Sequence, residues 1–195
     1  MTGAKSVFLT GISMNSTDLA SLYHGLALVE LRDNNFDSAS KICKKGIEVG
    51  MRRNHDVDPS VKFLFHSLGM MELDAHRAAE AERVFQSGVK LFPTHSHLLL
   101  GLALAEMRLG RSDLARQHFK QAVDCDVYHA HAWQCWALFE KQSGNIELAT
   151  ILFKQGLKKN PLHAPLWHAF AVMEIQQGWL HSLLWLVLSL IIYVD

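Results

Sequence analysis

A 34-residue internal repeat constrains this chain of 195 residues more than any other feature of its sequence. Each copy contains the pattern large-x-x-large-small-x-x-Glu. The copies end at five glutamates: Glu30, Glu72, Glu106, Glu140 and Glu174. The last four glutamates are 34 residues apart, whereas the first is 42 residues before the second because the polar segment 51–60 adds eight residues. Repetition at this period predicts stacked structural units rather than one central core.

Each half of the repeat has the spacing of an amphipathic helix. The first half places apolar residues at i, i+3 and i+4, and the second half follows the pattern small-x-x-x-aromatic-x-x-small. Glycines such as Gly144 mark the turn between the halves, and Pro161 closes a unit because proline cannot continue a helix. We therefore predict an all-α fold, a right-handed α-solenoid of antiparallel helix pairs.

The repeat pattern divides the chain into three parts. Residues 1–16 are predicted to be an N-terminal extension, and residues 17–178 a repeat array of four full pairs plus the first helix of a fifth. Residues 179–195 form a hydrophobic tail that departs from the pattern. Residues 183–194 carry no charge and are either a membrane tail anchor, although short against the roughly 20 residues of a span, or an abnormal C-terminus. The abrupt end of the repeat pattern favours the abnormal C-terminus, such as a truncated or mis-spliced product.

The glutamate register carries a family resemblance. Five of the nine glutamates lie at it, and seven residues before it stands an aromatic residue in every copy except the one with Leu99. Together with Ala115-Arg116 in a second helix, this pattern resembles the half-a-tetratricopeptide (HAT) subclass of the tetratricopeptide repeat (TPR). The resemblance covers Asp18 to Gly178. The motif residues are Tyr23, Glu30, Phe65, Glu72, Glu106, Arg116, Trp133, Glu140, Trp167 and Glu174.

The resemblance implies a TPR-like superhelix and a role in RNA processing or mRNA stabilisation. The segment 161–174 is similar to the chloroplast PsbB mRNA maturation factor family. The implied partners are single-stranded RNA, such as mRNA, and proteins of an RNA-processing complex, with no small-molecule substrate. The implied location is inside the cell, in the chloroplast if the subgroup resemblance holds and otherwise in the nucleus. A membrane partner is expected only if the segment 183–194 is a genuine anchor.

Candidate RNA or partner contacts follow from the positions that face the concave groove of TPR arrays and from lysines that recur in the second helices. Evenly spaced cations suit a phosphate backbone, and histidines can bind phosphates or stack on bases. The candidate groove residues are His24, Arg32, Lys44, His66, Arg108, Lys120, Gln134, Lys141, Lys154 and His168.

An alternative function is a TPR-type scaffold that binds a peptide or a helix in its concave groove. The chain has 19 basic and 19 acidic residues, and this zero net charge favours the scaffold over RNA binding. Neighbouring groove positions such as Leu28 and Met70 are apolar, which suits a peptide or a base equally.

Catalytic and metal-binding patterns are absent from the sequence. It contains no Gly-rich phosphate loop, no nucleophile elbow, no HExxH motif and no CxxC pair. His-x-His pairs, as at His95 and His97, lack further ligands at metal-binding spacing. The register glutamates are expected to be structural, each partly buried and paired with a donor from the adjacent helix. We predict no cofactor, no metal and no enzyme activity.

Overall fold

The computed structural model describes residues 3–14, 18–52 and 57–178, and within these ranges it is helical with no β-strand. The all-α fold class predicted from the sequence is confirmed. The helices are α1 Gly3–Ser13, α2 Leu19–Arg32, α3 Phe36–Met51, α4 Val61–Asp74, α5 Ala78–Leu91, α6 Ser96–Arg108, α7 Ser112–Cys125, α8 Ala130–Gln142, α9 Ile146–Lys159 and α10 Ala164–Gln176.

The helices follow the predicted repeat. Helices α2–α3, α4–α5 and α8–α9 pack as pairs, α6 is followed by α7 after a turn of the same kind, and α10 is the first helix of a fifth unit. This arrangement is a helical-repeat solenoid, as the 34-residue period predicts.

The chain divides into two compact units, Met1–His118 and Phe119–Asp195, and the boundary falls within α7. Small and aromatic residues of the repeat pattern form the core of each unit. In the first unit, Phe85 is fully buried and its ring lies where a Cβ on Gly69 or Gly101 would be. In the second unit, the rings of Phe153 and Phe170 stack at 5.3 Å between centroids.

A left-handed residue ends the first helix of every unit. Glycine occupies this position at Gly110, Gly144 and Gly178, with φ between 72° and 83°, as the sequence predicts. Asn34 (φ 60°) and His76 (φ 58°) take the same conformation in the first two units, which the sequence pattern did not indicate. The next residue then donates its backbone N–H to the carbonyl of the register glutamate, at 2.8–2.9 Å in the four turns where this bond is formed. This is the Schellman motif, which satisfies carbonyls at the end of a helix.

Helix α1 lies within the predicted N-terminal extension and follows the second-helix register. Ala4, Phe8 and Gly11 repeat the pattern small-x-x-x-aromatic-x-x-small. The Phe8 ring lies where a Cβ on Gly25 would be, and a Cβ on Gly11 would lie 3.1 Å from the side chain of Leu22. Helix α1 therefore packs on α2 as the second helix of one unit packs on the first helix of the next.

The hydrophobic tail, residues 179–195, lies outside the described residues, so both of its interpretations remain predictions. Among the helices that the structure does describe, none combines the length and the apolar character of a bilayer span.

His76→Gly is expected to raise the free energy of unfolding by about 0.5–1 kcal/mol. Glycine adopts a positive φ without the steric cost that histidine bears, and this gain exceeds the additional entropy of the unfolded chain. The measurement is urea denaturation followed by circular dichroism.

Gly144→Ala is the matched control in the reverse direction. Nothing lies within 4 Å of a Cβ at Gly144, so its φ of 83° is the sole penalty, and a loss of about 1 kcal/mol is expected. Equal stability of both variants and the wild type would contradict the role of the left-handed residue.

Candidate interaction site

The five register glutamates are all buried, with exposed fractions from 0 % at Glu140 to 6 % at Glu72. Burial of a carboxylate is costly unless it is hydrogen-bonded, so each requires donors. In three units, the side chain of the residue five positions later supplies one. Asn35 donates to Glu30 at 2.9 Å, Asn145 donates to Glu140 at 2.7 Å, and Arg77 pairs with Glu72 at 2.5 Å.

These donors belong to the turn, which corrects the expectation that the adjacent helix supplies them. The residue whose N–H closes the Schellman motif also binds the carboxylate of the same glutamate. Trp136 adds an indole N–H to Glu140 at 3.2 Å, and Lys5 of α1 forms an ion pair with Glu30. The hydrogen bonds from Lys5 and Asn35 lower the pKa of Glu30, so this carboxylate stays ionised.

The third unit uses a different donor. His118 contacts the Glu106 carboxylate at 2.7 Å through Nδ1, whereas Arg111, five residues after Glu106, reaches Glu82 of α5 at 2.5 Å. Arg111 therefore connects two successive units, and here the adjacent helix does supply the partner of the register glutamate.

The other motif residues are structural in their contacts. The indole N–H of Trp133 donates to the carbonyl of Val127 at 2.9 Å, and that of Trp167 donates to the carbonyl of Pro161 at 2.6 Å. Phe65 is buried and Tyr23 half-buried. Arg116 pairs with Asp113 at 3.3 Å on an exposed turn. Aromatic residues at this register thus fasten the loop before each first helix.

A cluster of rings covers one face of the first unit, on and beside the first helices α2, α4 and α6. We call it the ring surface, and it consists of His24, Phe63, His66, His95 and His97. His24 stacks on Phe63 at 5.7 Å, and Phe63 meets His95 edge-on at 6.1 Å. His97 lies 5.5 Å from His95 and 5.8 Å from His66. The Phe63 ring is 44 % exposed, so this face offers aromatic contact area to a ligand.

Polar neighbours hold the ring surface in place. The ring of His24 shares a hydrogen bond with the hydroxyl of Ser67 at 3.1 Å, and the ammonium of Lys62 lies 5.2 Å from the centre of Phe63. Burial lowers the pKa of His24. Burial, with further contributions from His97 and Lys62, lowers the pKa of His95 to about 4. His24 and His95 are therefore uncharged at neutral pH.

The predicted groove residues have separate fates. In the first unit, His24 and His66 join the ring surface, Arg108 donates to the carbonyl of Leu73 at 3.1 Å, and Arg32 lies exposed beside Asp33. Lys44 lies on the wall of a cleft of about 750 Å³ formed by α3, α4 and α5. The exposed ring of Phe36 lines the same cleft.

In the second unit, the ammonium of Lys141 donates to the side chain of Gln176 at 2.6 Å, and Gln134 is half-buried. His168, Lys120 and Lys154 are exposed.

Metal or nucleophile chemistry finds no support in the described residues. Within residues 3–14, 18–52 and 57–178, no three His, Cys, Asp or Glu side chains are arranged to hold a metal ion. Cys135 contacts the His131 ring at 3.4 Å, but burial raises the pKa of its thiol to about 11, which disfavours the reactive thiolate.

The comparisons agree on the class of protein. Residues 67–130 match the family model of the tetratricopeptide repeat. The chain therefore contains tetratricopeptide repeats, and its fold is TPR-like. Folds of this class are generally non-catalytic scaffolds. No curated protein sequence matches the chain.

Solved structures share the fold at low sequence identity. MamA superposes with a TM-score of 0.63 at 15 % identity, over 87 % of this chain and 88 % of its own. YrrB, described as a TPR protein with an unusual peptide-binding site, gives 0.61 at 18 %, over 95 % and 91 %. A tetratricopeptide repeat protein from Parabacteroides merdae gives 0.63 at 18 %, over 82 % and 60 %. Such identities show the fold alone.

Sequence reasoning placed two members of the ring surface and missed three. His24 and His66 were selected because they share a register. Phe63 precedes His66 by one helical turn, and His97 follows it in the next unit at the register of Phe63. A search for aromatic residues at the register three positions before the histidines would therefore have found both.

Glu140→Ala is expected to lower the free energy of unfolding by about 2–3 kcal/mol, because the buried N–H groups of Asn145 and Trp136 lose their acceptor. Chemical denaturation measures the loss. Glu147→Ala, on the exposed face of α9, is the control and should change stability by less than about 0.5 kcal/mol. Glu140→Gln, which retains one acceptor oxygen, should lose less than Glu140→Ala.

Stability should fall as the pH drops from 6.5 to 4, partly through His95. In this window the unfolded chain binds a proton at His95 and the folded chain does not, so proton binding favours unfolding. His95→Asn, which keeps a good residue at the N-cap of α6, is expected to show a shallower fall in the free energy of unfolding over the same window. Identical pH slopes for the variant and the wild type would show that His95 does not titrate in this way.

Proposed function

We propose that the chain is a non-catalytic scaffold and that its ring surface binds an extended segment of a partner protein. The observation that carries the proposal is the mutual packing of five partly exposed rings on the first helices of successive units. Aromatic side chains offer large contact areas at a small entropic cost. Since these rings already contact one another, little further ordering is required when a ligand binds.

Apolar side chains extend the contact area beside the rings. Leu28 on α2 is 47 % exposed, and Met70 and Leu104 at the same register of α4 and α6 are partly buried. An extended peptide that follows this register would meet a ring and an apolar side chain in each unit. That pairing suits apolar side chains of a peptide, with the half-buried histidines available as hydrogen-bond partners.

The use of the basic side chains also favours a protein partner. Eight lysines and arginines in the described residues form ion pairs with carboxylates: Lys5, Arg32, Lys45, Arg52, Arg77, Arg83, Arg111 and Arg116. A phosphate backbone would compete with these internal carboxylates for the cations. YrrB, whose printed description includes a peptide-binding site, has the same fold and adds support for a peptide ligand.

RNA binding within an RNA-processing complex is the second candidate. The buried glutamate register supports the HAT subclass, and Lys44, Lys120 and Lys154 recur at one register of the second helices and are exposed. The chloroplast, or otherwise the nucleus, is the location that accompanies this candidate. Contacts with phosphates would make its affinity fall steeply as salt rises.

Selection of random-sequence peptides on the full chain tests the first candidate. Peptides that bind the wild type should lose at least tenfold in affinity for Phe63→Ala, because the most exposed aromatic contact of the ring surface is gone. Phe36→Ala is the matched control, since Phe36 is an equally exposed phenylalanine of the same unit that lies in the cleft instead. Its affinity should equal that of the wild type. Equal losses in both variants would contradict the ring surface as the peptide site.

A salt titration separates the two candidates. Affinity of the selected peptides should change less than threefold between 50 and 200 mM salt, whereas phosphate contacts would cost a factor of about 10³ or more if six were made. Binding of a single-stranded RNA of mixed sequence, with that steep salt dependence and reduced by alanine at Lys44, Lys120 and Lys154, would favour RNA.

A further inference from the structure

Helix α1 lacks the first helix that its register requires. In every complete unit, the small residue that begins the second-helix pattern is fully buried: Ala39, Ala81, Ala115 and Ala149. Ala4 holds this register in α1 and is exposed. The next register is also fully buried elsewhere, at Cys43, Phe85, Phe119 and Phe153, whereas Phe8 is only half-buried. Contact with α2 covers one side of α1 and leaves the other open.

Helix α10 has the complementary deficiency within the described residues. It is a first helix, and the structure describes no second helix after it. Its small residue Ala171 is partly exposed, although Ala27, Ala103 and Ala137 at the same register are fully buried. Ile175 is 57 % exposed, whereas Leu73 at the same register is 2 % exposed. The face that a second helix covers in a complete unit is therefore open on α10.

We propose that α10 of one copy docks on α1 of a second copy and completes a helix pair between the two molecules. The contact is head-to-tail, so it joins two different surfaces and each copy retains one free end. Such an interface is heterologous and allows linear association. The proposal is independent of the peptide site on the ring surface.

The α8–α9 pair supplies the template for this contact. Its first helix carries Trp133, Ala137 and Glu140, and α10 carries Trp167, Ala171 and Glu174 at the same registers. Its second helix carries Ala149, Phe153 and Gly156, and α1 carries Ala4, Phe8 and Gly11. The six side chains that define the α8–α9 pair are thus reproduced without change. In that pair a Cβ on Gly156 would lie 2.7 Å from the Cβ of Trp133, so Gly11 is the residue that Trp167 needs opposite it.

Charge is compatible with the contact. Helix α1, Gly3–Ser13, carries a single charged residue, Lys5, and α10, Ala164–Gln176, carries a single one of opposite sign, Glu174. No like charges oppose the docking of these two helices. The exposed apolar residues Val7 and Ile175, 70 % and 57 % exposed, are the kind of surface that association removes from water.

Sedimentation of the full chain over a range of concentrations is the test. The wild type should form species larger than a monomer as concentration rises. Ala4→Arg places a large charged side chain in the pair and should weaken association at least tenfold. Ile175→Asp should do the same from the opposite face. Both positions are exposed in the monomer, so circular dichroism should show an unchanged fold.

Two control variants change the same helices outside the proposed contact. Leu9→Lys puts lysine at the register where Lys44, Lys120 and Lys154 are exposed in complete units, and His168→Ala changes an exposed residue on the other side of α10. Both should associate as the wild type does.

A mixture of the two weakened variants distinguishes a head-to-tail contact from a symmetric one. Ala4→Arg retains an intact α10 and Ile175→Asp retains an intact α1, so an equimolar mixture should form a heterodimer and stop there. A wild type that stays monomeric at every concentration, or association that survives either substitution, would overturn the proposal. So would a mixture in which no heterodimer forms.

Discussion

The turn between the two helices of a unit is the constraint on which the rest of the structure depends. A residue with positive φ ends the first helix, and the next residue returns its N–H to the carbonyl of the register glutamate at 2.8–2.9 Å. In three units the side chain of that residue also binds the carboxylate, so one position closes the backbone and satisfies a buried charge. This double contact fixes where the second helix starts and hence which residues of the two helices meet.

The fold was largely predictable because burial recurs with the repeat. Small and aromatic residues must return at fixed registers, and that periodicity is visible in the sequence. The turn at His76 was not predictable, since histidine gives no signal for a positive φ and the register alone imposes it. Helix α1 was missed because three residues, Ala4, Phe8 and Gly11, are too few to identify half a repeat without the contact between Phe8 and Gly25.

The candidate site was less predictable, for a different physical reason. A register shows which residues share a face of one helix, but contacts between rings depend on how successive units stack. His24 and Phe63 come from different units and meet only through that stacking. Similarly, a count of lysines and arginines does not show that Arg77 and Arg111 are held by buried carboxylates. The structure therefore shifts the balance from a surface for phosphates towards one of rings and apolar side chains.

The register glutamates share one position but differ in their donors, and this makes the units unequal in kind. A neutral amide binds Glu140, an exposed guanidinium binds Glu72, and an imidazole binds Glu106. Salt screens the guanidinium pair, acid alters the imidazole, and neither acts on the amide. In a repeat protein each unit is stabilised by itself and its neighbours alone. Local opening can therefore begin at different units under different solution conditions, so the order in which the chain loosens is set by its surroundings as well as by its sequence.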